Sequence, residues 1–187
     1  MIGNMHPRST ELLNYFEEQR RGFAAAFLAV PASLRAQAPA PDRWSPAAIV
    51  EHVSIAEFRI VAALTKLLEQ ARADGLGSET STDPFLPLFD ASRTLDRSRK
   101  LLSSSMGPSG LDADGAWEAV ERSGNAVRAF IRAADGLAIG KLSMPHPFFG
   151  PMSGYEWLAF IAAHEARHAE QIREAAEALA PSSSPGA

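Results

Sequence analysis

Cysteine is absent from the 187-residue chain. That absence excludes disulfides, iron–sulfur clusters, thiolate zinc sites and a cysteine nucleophile, so any metal must be held by histidine or carboxylate. No apolar run approaches the length of a bilayer-crossing helix. The opening MIGNMHPRSTELLNYFEE lacks the apolar centre of a secretory signal. Basic runs are missing too: 18 Lys and Arg stand against 22 Asp and Glu, a formal net charge of -4, which argues against a nucleic-acid partner. Alternating segments long enough for a strand are also lacking. What remains is a chain with 46% hydrophobic and 21% charged residues, in the globular range. The expectation is a soluble, cytoplasmic, single domain over residues 1–180, with no membrane partner and a disordered tail at 181–187.

Four segments carry helical periodicity, with helix breakers between them. The first runs from Arg8 to Ala29, its stripe marked by Leu12, Phe16, Phe23 and Phe27. The charged run Glu17–Arg21 within it reads as a solvated face. Pro31, Pro39 and Pro41 then prevent continuation. The second helix opens at Trp44-Ser45-Pro46, with Ser45 as N-cap and Pro46 in the first turn, and ends before Asp74-Gly75. A Gly-, Ser-, Thr- and Pro-rich loop over 75–90 leads into a shorter helical piece at 91–102 and a break to 115. The third long helix spans 116–137. An unusually apolar loop, 140–151, is expected to pack down onto the domain. Ser153 and Glu156 then form a capping box for the last helix, which reaches Leu179. Four amphipathic helices bury their stripes against one another as an all-α, up-down four-helix bundle, with a long loop or short helix between helices 2 and 3.

Only five histidines occur, and three fall on apolar stripes. His164 and His168 stand four apart on one face of the last helix, in the series Trp157, Ile161, His164, His168, Gln171, Ala175. His52 lies in the stripe from Ile49 to Ala56 on the second helix. One inward histidine is an ordinary hydrogen-bonded core residue; three from two helices are able to converge on a divalent metal and leave positions for water or substrate. The segment His164-Glu165-Ala166-Arg167-His168 also matches H-E-x-x-H, in which Glu165 would be the general base of a peptidase. Gln171 and Glu174 occupy the places of the Gly and the third His in the longer form of that motif. By helix geometry Glu165 points roughly 100° away from its neighbour His164. No phosphate loop, dinucleotide fingerprint or serine-esterase elbow is present.

Trp44-Ser45-Pro46-Ala-Ala-Ile49-Val-Glu51-His52-Val53 resembles the second-helix motif of the DinB-like superfamily. The stretches His146-Pro147-Phe-Phe149-Gly150, Glu156-Trp157-Leu158 and His164-Glu-Ala-Arg167-His168-Ala-Glu-Gln171-Ile172 resemble its closing motif. The resemblance covers the chain from the first helix to about residue 179 and is weakest from 75 to 115. It implies a four-helix bundle, often a homodimer, in which His52, His164 and His168 hold a divalent metal, zinc or nickel before iron or manganese.

Relatives of this kind include thiol-dependent S-transferases and isomerases, with a low-molecular-weight thiol as co-substrate, and metal-dependent hydrolases acting on small molecules. Three functions therefore stand side by side: such an enzyme, a non-catalytic metal-binding stress or interaction bundle, and an H-E-x-x-H peptidase. Gln171, His146 and Glu165 are the candidate catalytic side chains. Gln171 is placed to orient a water, and His146 in the apolar loop is a hydrogen-bond donor, a substrate contact or an ordinary loop residue. Arg167 is expected to meet a carboxylate such as Glu51, or a substrate anion. His6 is assigned no role.

Overall fold

The computed structural model describes residues 5–96 and 107–180. Helix α1 covers Pro7–Leu28; its N-cap is His6, whose imidazole accepts from the Arg8 amide, so His6 starts the helix. Helix α2 covers Pro46–Ala73 and begins as its sequence predicts, with Ser45 Oγ accepting from the Ala48 amide at 3.1 Å. A single turn, α3, covers Ser92–Leu95; residues 97–102 of the expected short helix lie outside the described residues, as does the tail 181–187.

Helix α4 covers Ala113–Ala133. It starts three residues before the expected position because Asp112 caps it, accepting from the Gly115 amide at 2.8 Å. It stops short of Leu137 at a turn in which Gly136 takes φ +68°. The apolar loop that follows contains a hairpin that periodicity does not reveal. Strand β1, Ser143–His146, pairs antiparallel with β2, Gly150–Ser153, with Met144 opposite Met152 and His146 opposite Gly150. Four-residue strands with facing prolines are too short to show alternation. As anticipated, the segment packs down: Trp157 Nε1 donates to the Met144 carbonyl at 3.0 Å. Helix α5, Gly154–Leu179, opens on the predicted capping box.

The helices form a four-helix bundle, but strict alternation fails at one place. Helix α1 packs mainly on α5, and α2 on α4 and α5. Contacts between Arg20 and Glu165 and between Arg8 and Tyr155 make α1 and α5 parallel. Glu57 with Ser123, and Arg72 with the Ala133 carbonyl, do the same for α2 and α4. The sense is up, down, down, up, because the long connection between α2 and α4 returns to the end from which α2 began.

Two apolar clusters fill the interior. One gathers Leu12, Phe16, Leu64, Val127 and Leu158, the other Phe23, Phe27, Ile49, Val120 and Ile172. Among the described residues no helix is long and apolar enough to cross a membrane.

The start of α5 is pressed against the turn before the hairpin. A Cβ at Gly154 would lie 2.7 Å from the Ile139 carbonyl oxygen and 3.2 Å from Ile139 Cβ. Gly154→Ala is therefore expected to cost about 1–3 kcal/mol, read as a lower urea midpoint at unchanged m-value.

Candidate metal centre

Three helical positions bring the imidazoles together. His52 sits in the second turn of α2, and His164 and His168 follow each other up one face of α5. Ring centroids are 4.4 Å apart for His164 and His168, 4.9 Å for His52 and His168, and 5.4 Å for His52 and His164. One ligating nitrogen from each lies within 4.8 Å of the others, and among the described residues no carboxylate joins the group. Trp44 leans on His52 at 4.8 Å, and Phe160 stacks on His164 at 5.4 Å.

Hydrogen bonds fix which nitrogens face inward. His168 Nδ1–H donates to Gln171 Oε1 at 2.8 Å, leaving an Nε2 lone pair 3.0 Å from His164 Nε2. Gln171, expected to orient a water, thus orients a ring. Burial, then the neighbouring His168 and His52 and the Arg167 charge, hold His164 well below the ordinary imidazole range. A neutral ring with a free lone pair is the form that binds metal. With metal–nitrogen bonds of about 2.1 Å, two nitrogens of one coordination shell stand roughly 3.0–3.4 Å apart. His164 and His168 already have that spacing, and a ligating nitrogen of His52 lies within 4.8 Å of theirs. The residues fit a divalent cation, and uncharged ligands would leave its charge undiminished.

Each histidine has a charged neighbour in sequence that turns away and anchors its helix. Beside His52, the buried Glu51 accepts from the amides of Ser109, Gly110 and Leu111 at 2.7, 3.1 and 3.0 Å, and from the Ser109 hydroxyl. Burial works against its charge, but these bonds outweigh it and keep its carboxyl below the usual range. Arg167, beside His168, donates to the carbonyls of Thr94 and Asp96. The suggested Glu51–Arg167 pairing is thus replaced by two separate ties to the connection between α2 and α4. His146 is buried under the hairpin against Phe149, Trp157 and Phe160, one ring removed from His164.

Glu165 points to the opposite side. It is fully buried, with Oε1 2.7 Å from Arg20 Nη2. That same nitrogen is 2.7 and 2.8 Å from the two oxygens of Glu57, while Arg20 Nη1 donates to the Val120 carbonyl and Ser123 Oγ to Glu57. The run Glu17–Arg21 is accordingly not a wholly solvated face: Arg20 is 5% exposed. Its position was legible, since it continues the stripe from Phe16 to Phe23. Without an aligned donor, and desolvated beside Glu57, Glu165 has its pKa raised well above the carboxylate range. The second carboxylate on the same guanidinium favours the protonated form of Glu165. Locked in this cluster, Glu165 does not face the three histidines as an H-E-x-x-H base must.

The DinB superfamily model matches residues 15–172. The chain belongs to the DinB superfamily. DinB-like proteins bind metals, in keeping with the clustered histidines. Among solved structures, "TT2238, a four-helix bundle protein" is similar at 19% identity and a TM-score of 0.58, covering 89% of this chain and 98% of that one. That likeness supports the bundle alone. No curated protein matches this DinB-family chain.

The Arg20 cluster gives this DinB protein a pH signature. Folded Glu165 keeps a proton that the unfolded chain releases above about pH 4.5, so the contribution of this group to stability is greatest below that pH and falls as pH rises toward the folded pKa. Glu165→Gln, which keeps a donor toward Glu57 without titrating, is expected to flatten the decline between about pH 5 and 8 in urea unfolding. Arg20→Met strands both carboxylates and is expected to cost about 3–5 kcal/mol.

Proposed function

We propose that this DinB-family protein is a divalent-metal-dependent enzyme acting on a small molecule, as a hydrolase or thiol S-transferase, with the metal held by His52, His164 and His168. The observation that carries the proposal is a donor set of three imidazoles without a carboxylate among the described residues. Structural zinc is normally closed by four protein ligands, whereas three leave room for a reactant. Zinc and nickel suit an all-nitrogen set; iron and manganese follow. When bound, such a cation supplies Lewis acidity to a water, thiol or carbonyl group that reaches it.

The chain's own residues supply the geometry. Gln171 fixes the His168 tautomer and ring plane. Trp44 and Phe160 flank His52 and His164 and keep water from their faces. Glu51 and Arg167 hold residues 109–111 and 94–96 to the helices that carry the triad. A peptidase is disfavoured because Glu165 is committed to Arg20 and Glu57. A low-molecular-weight thiol co-substrate and a homodimer remain part of the proposal through the family.

Elemental mass spectrometry of the purified protein is the direct test. Wild type is expected to carry about one equivalent of divalent metal, and His52→Ala and His168→Ala to lose at least about tenfold in occupancy with helicity unchanged. Ester- or amide-cleaving or thiol-transfer activity should disappear with the metal. A wild-type protein that takes up no zinc, nickel or manganese on reconstitution would sink the proposal.

A further inference from the structure

His146 closes strand β1 and is held more tightly than a loop residue needs to be. The ring is 6% exposed. It stacks on Phe149 with centroids 4.3 Å apart and 10° between planes, and it meets Trp157 at 5.2 Å and Phe160 edge-on at 4.9 Å. Its Nδ1 accepts from the amides of Phe148 and Phe149, at 3.1 and 3.3 Å. Two donors aimed at Nδ1 require a lone pair there, so the proton of the neutral ring is on Nε2. Burial first, then the Arg93 charge, push its pKa down to about 4; the imidazole is neutral under physiological conditions.

The Nε2–H meets no acceptor among the described residues, although the residue is only 6% exposed. Three features lie beside that donor. Phe160 touches both His146 and His164, so one ring separates the donor from the triad. Arg93 lies over Phe149 at 4.6 Å, contributing positive charge to the same flank. Phe148, beside it, is 44% exposed and offers an apolar surface. The charged or titratable groups facing His146 are Arg93 from α3 and, beyond Phe160, His164 from α5.

We propose that His146 presents Nε2–H as a fixed, uncharged hydrogen-bond donor to a carbonyl or carboxylate oxygen of an apolar small molecule handled beside the three histidines. This rests on the metal-dependent enzyme proposed above and adds a substrate-positioning residue and a substrate class to it. An uncharged donor locked by the turn behind it needs no reorganisation when an oxygen arrives. Because Nδ1 is already engaged, the ring is suited to donating and not to shuttling protons.

Two substitutions separate donating from bracing the turn. His146→Asn places an amide oxygen where Nδ1 was, keeping the acceptor for Phe148 and Phe149 but removing the donor. His146→Gln places an amide N–H near Nε2 and gives up the turn acceptor. Long-range proton–nitrogen spectra of the wild type are recorded first, then titrations with benzoate and benzamide on metal-free and zinc-loaded protein.

The expected spectrum has a protonated Nε2 and a bare Nδ1 throughout about pH 5 to 8, with the Nε2 resonance moving on saturation by a probe. His146→Asn is expected to weaken the probe at least about tenfold with helicity unchanged, and to melt somewhat lower because the ring contacts are lost. His146→Gln should retain binding within about threefold while melting lower. Binding of benzoate alone assigns a carboxylate; binding of both probes assigns carbonyl oxygens generally.

A proton on Nδ1, or a ring that charges near pH 6.5 as a free imidazole does, overturns the inference. So does a wild type that binds neither probe, or His146→Asn binding as tightly as wild type. Failure of zinc to bind overturns the proposed enzyme alone, since the tautomer and the metal-free titration are still read.

Discussion

The bundle depends on one buried guanidinium. Arg20 of α1 meets Glu57 of α2, the Val120 carbonyl of α4 and Glu165 of α5, so a single side chain touches every long helix. Glu57 adds a bond from Ser123. The layer divides the interior into its two apolar clusters. Hydrophobic burial is non-directional and tolerates sliding of one helix along another; this layer does not, because a shift of one turn leaves a charge unpaired in the core. Its worth is register more than net stability.

Register matters because the histidines depend on it. Three times an ionisable residue precedes or follows a triad histidine and faces away from it: Glu51 with His52, Glu165 with His164, Arg167 with His168. Each is committed to hydrogen bonds or ion pairs of its own. Neighbours on a helix point about 100° apart, so anchoring one sets the direction of the other. The three imidazoles converge because their helices are fixed in rotation from outside the site.

Much of this was legible in the sequence. Stripe spacing, caps and prolines located the four helices, and the i, i+4 pair with His52 located the triad, since both follow from helical periodicity. The hairpin escaped because its strands are four residues long and carry Pro145 and Pro151 opposite each other. The charged layer was half visible: Arg20 and Glu57 occupy stripe positions, but Glu165 lies off the stripe read on α5, and which partners meet across the bundle is a tertiary fact. Glu51 was read toward Arg167, whereas the backbone amides of Ser109–Leu111 reach it first, and backbone donors leave no mark in a sequence. The parallel pairing of α2 with α4 was hidden for a similar reason, since helix direction is decided by where a long connection returns.

That parallel arrangement has a kinetic consequence. In a bundle assembled from successive hairpins each helix finds its neighbour nearby in the chain. Here α1 lies chiefly on α5, the last helix to be made, and ties such as His6 to Asp135 and Arg20 to Val120 join residues 129 and 100 positions apart. Loop-closure entropy is lost before those contacts return any energy. On a ribosome, α1 emerges long before α5, the helix on which it chiefly lies, so its Phe16, Phe23 and Phe27 are covered only in part by α2 and α4 until then. Such long-range ties favour slower folding than helical content alone would set.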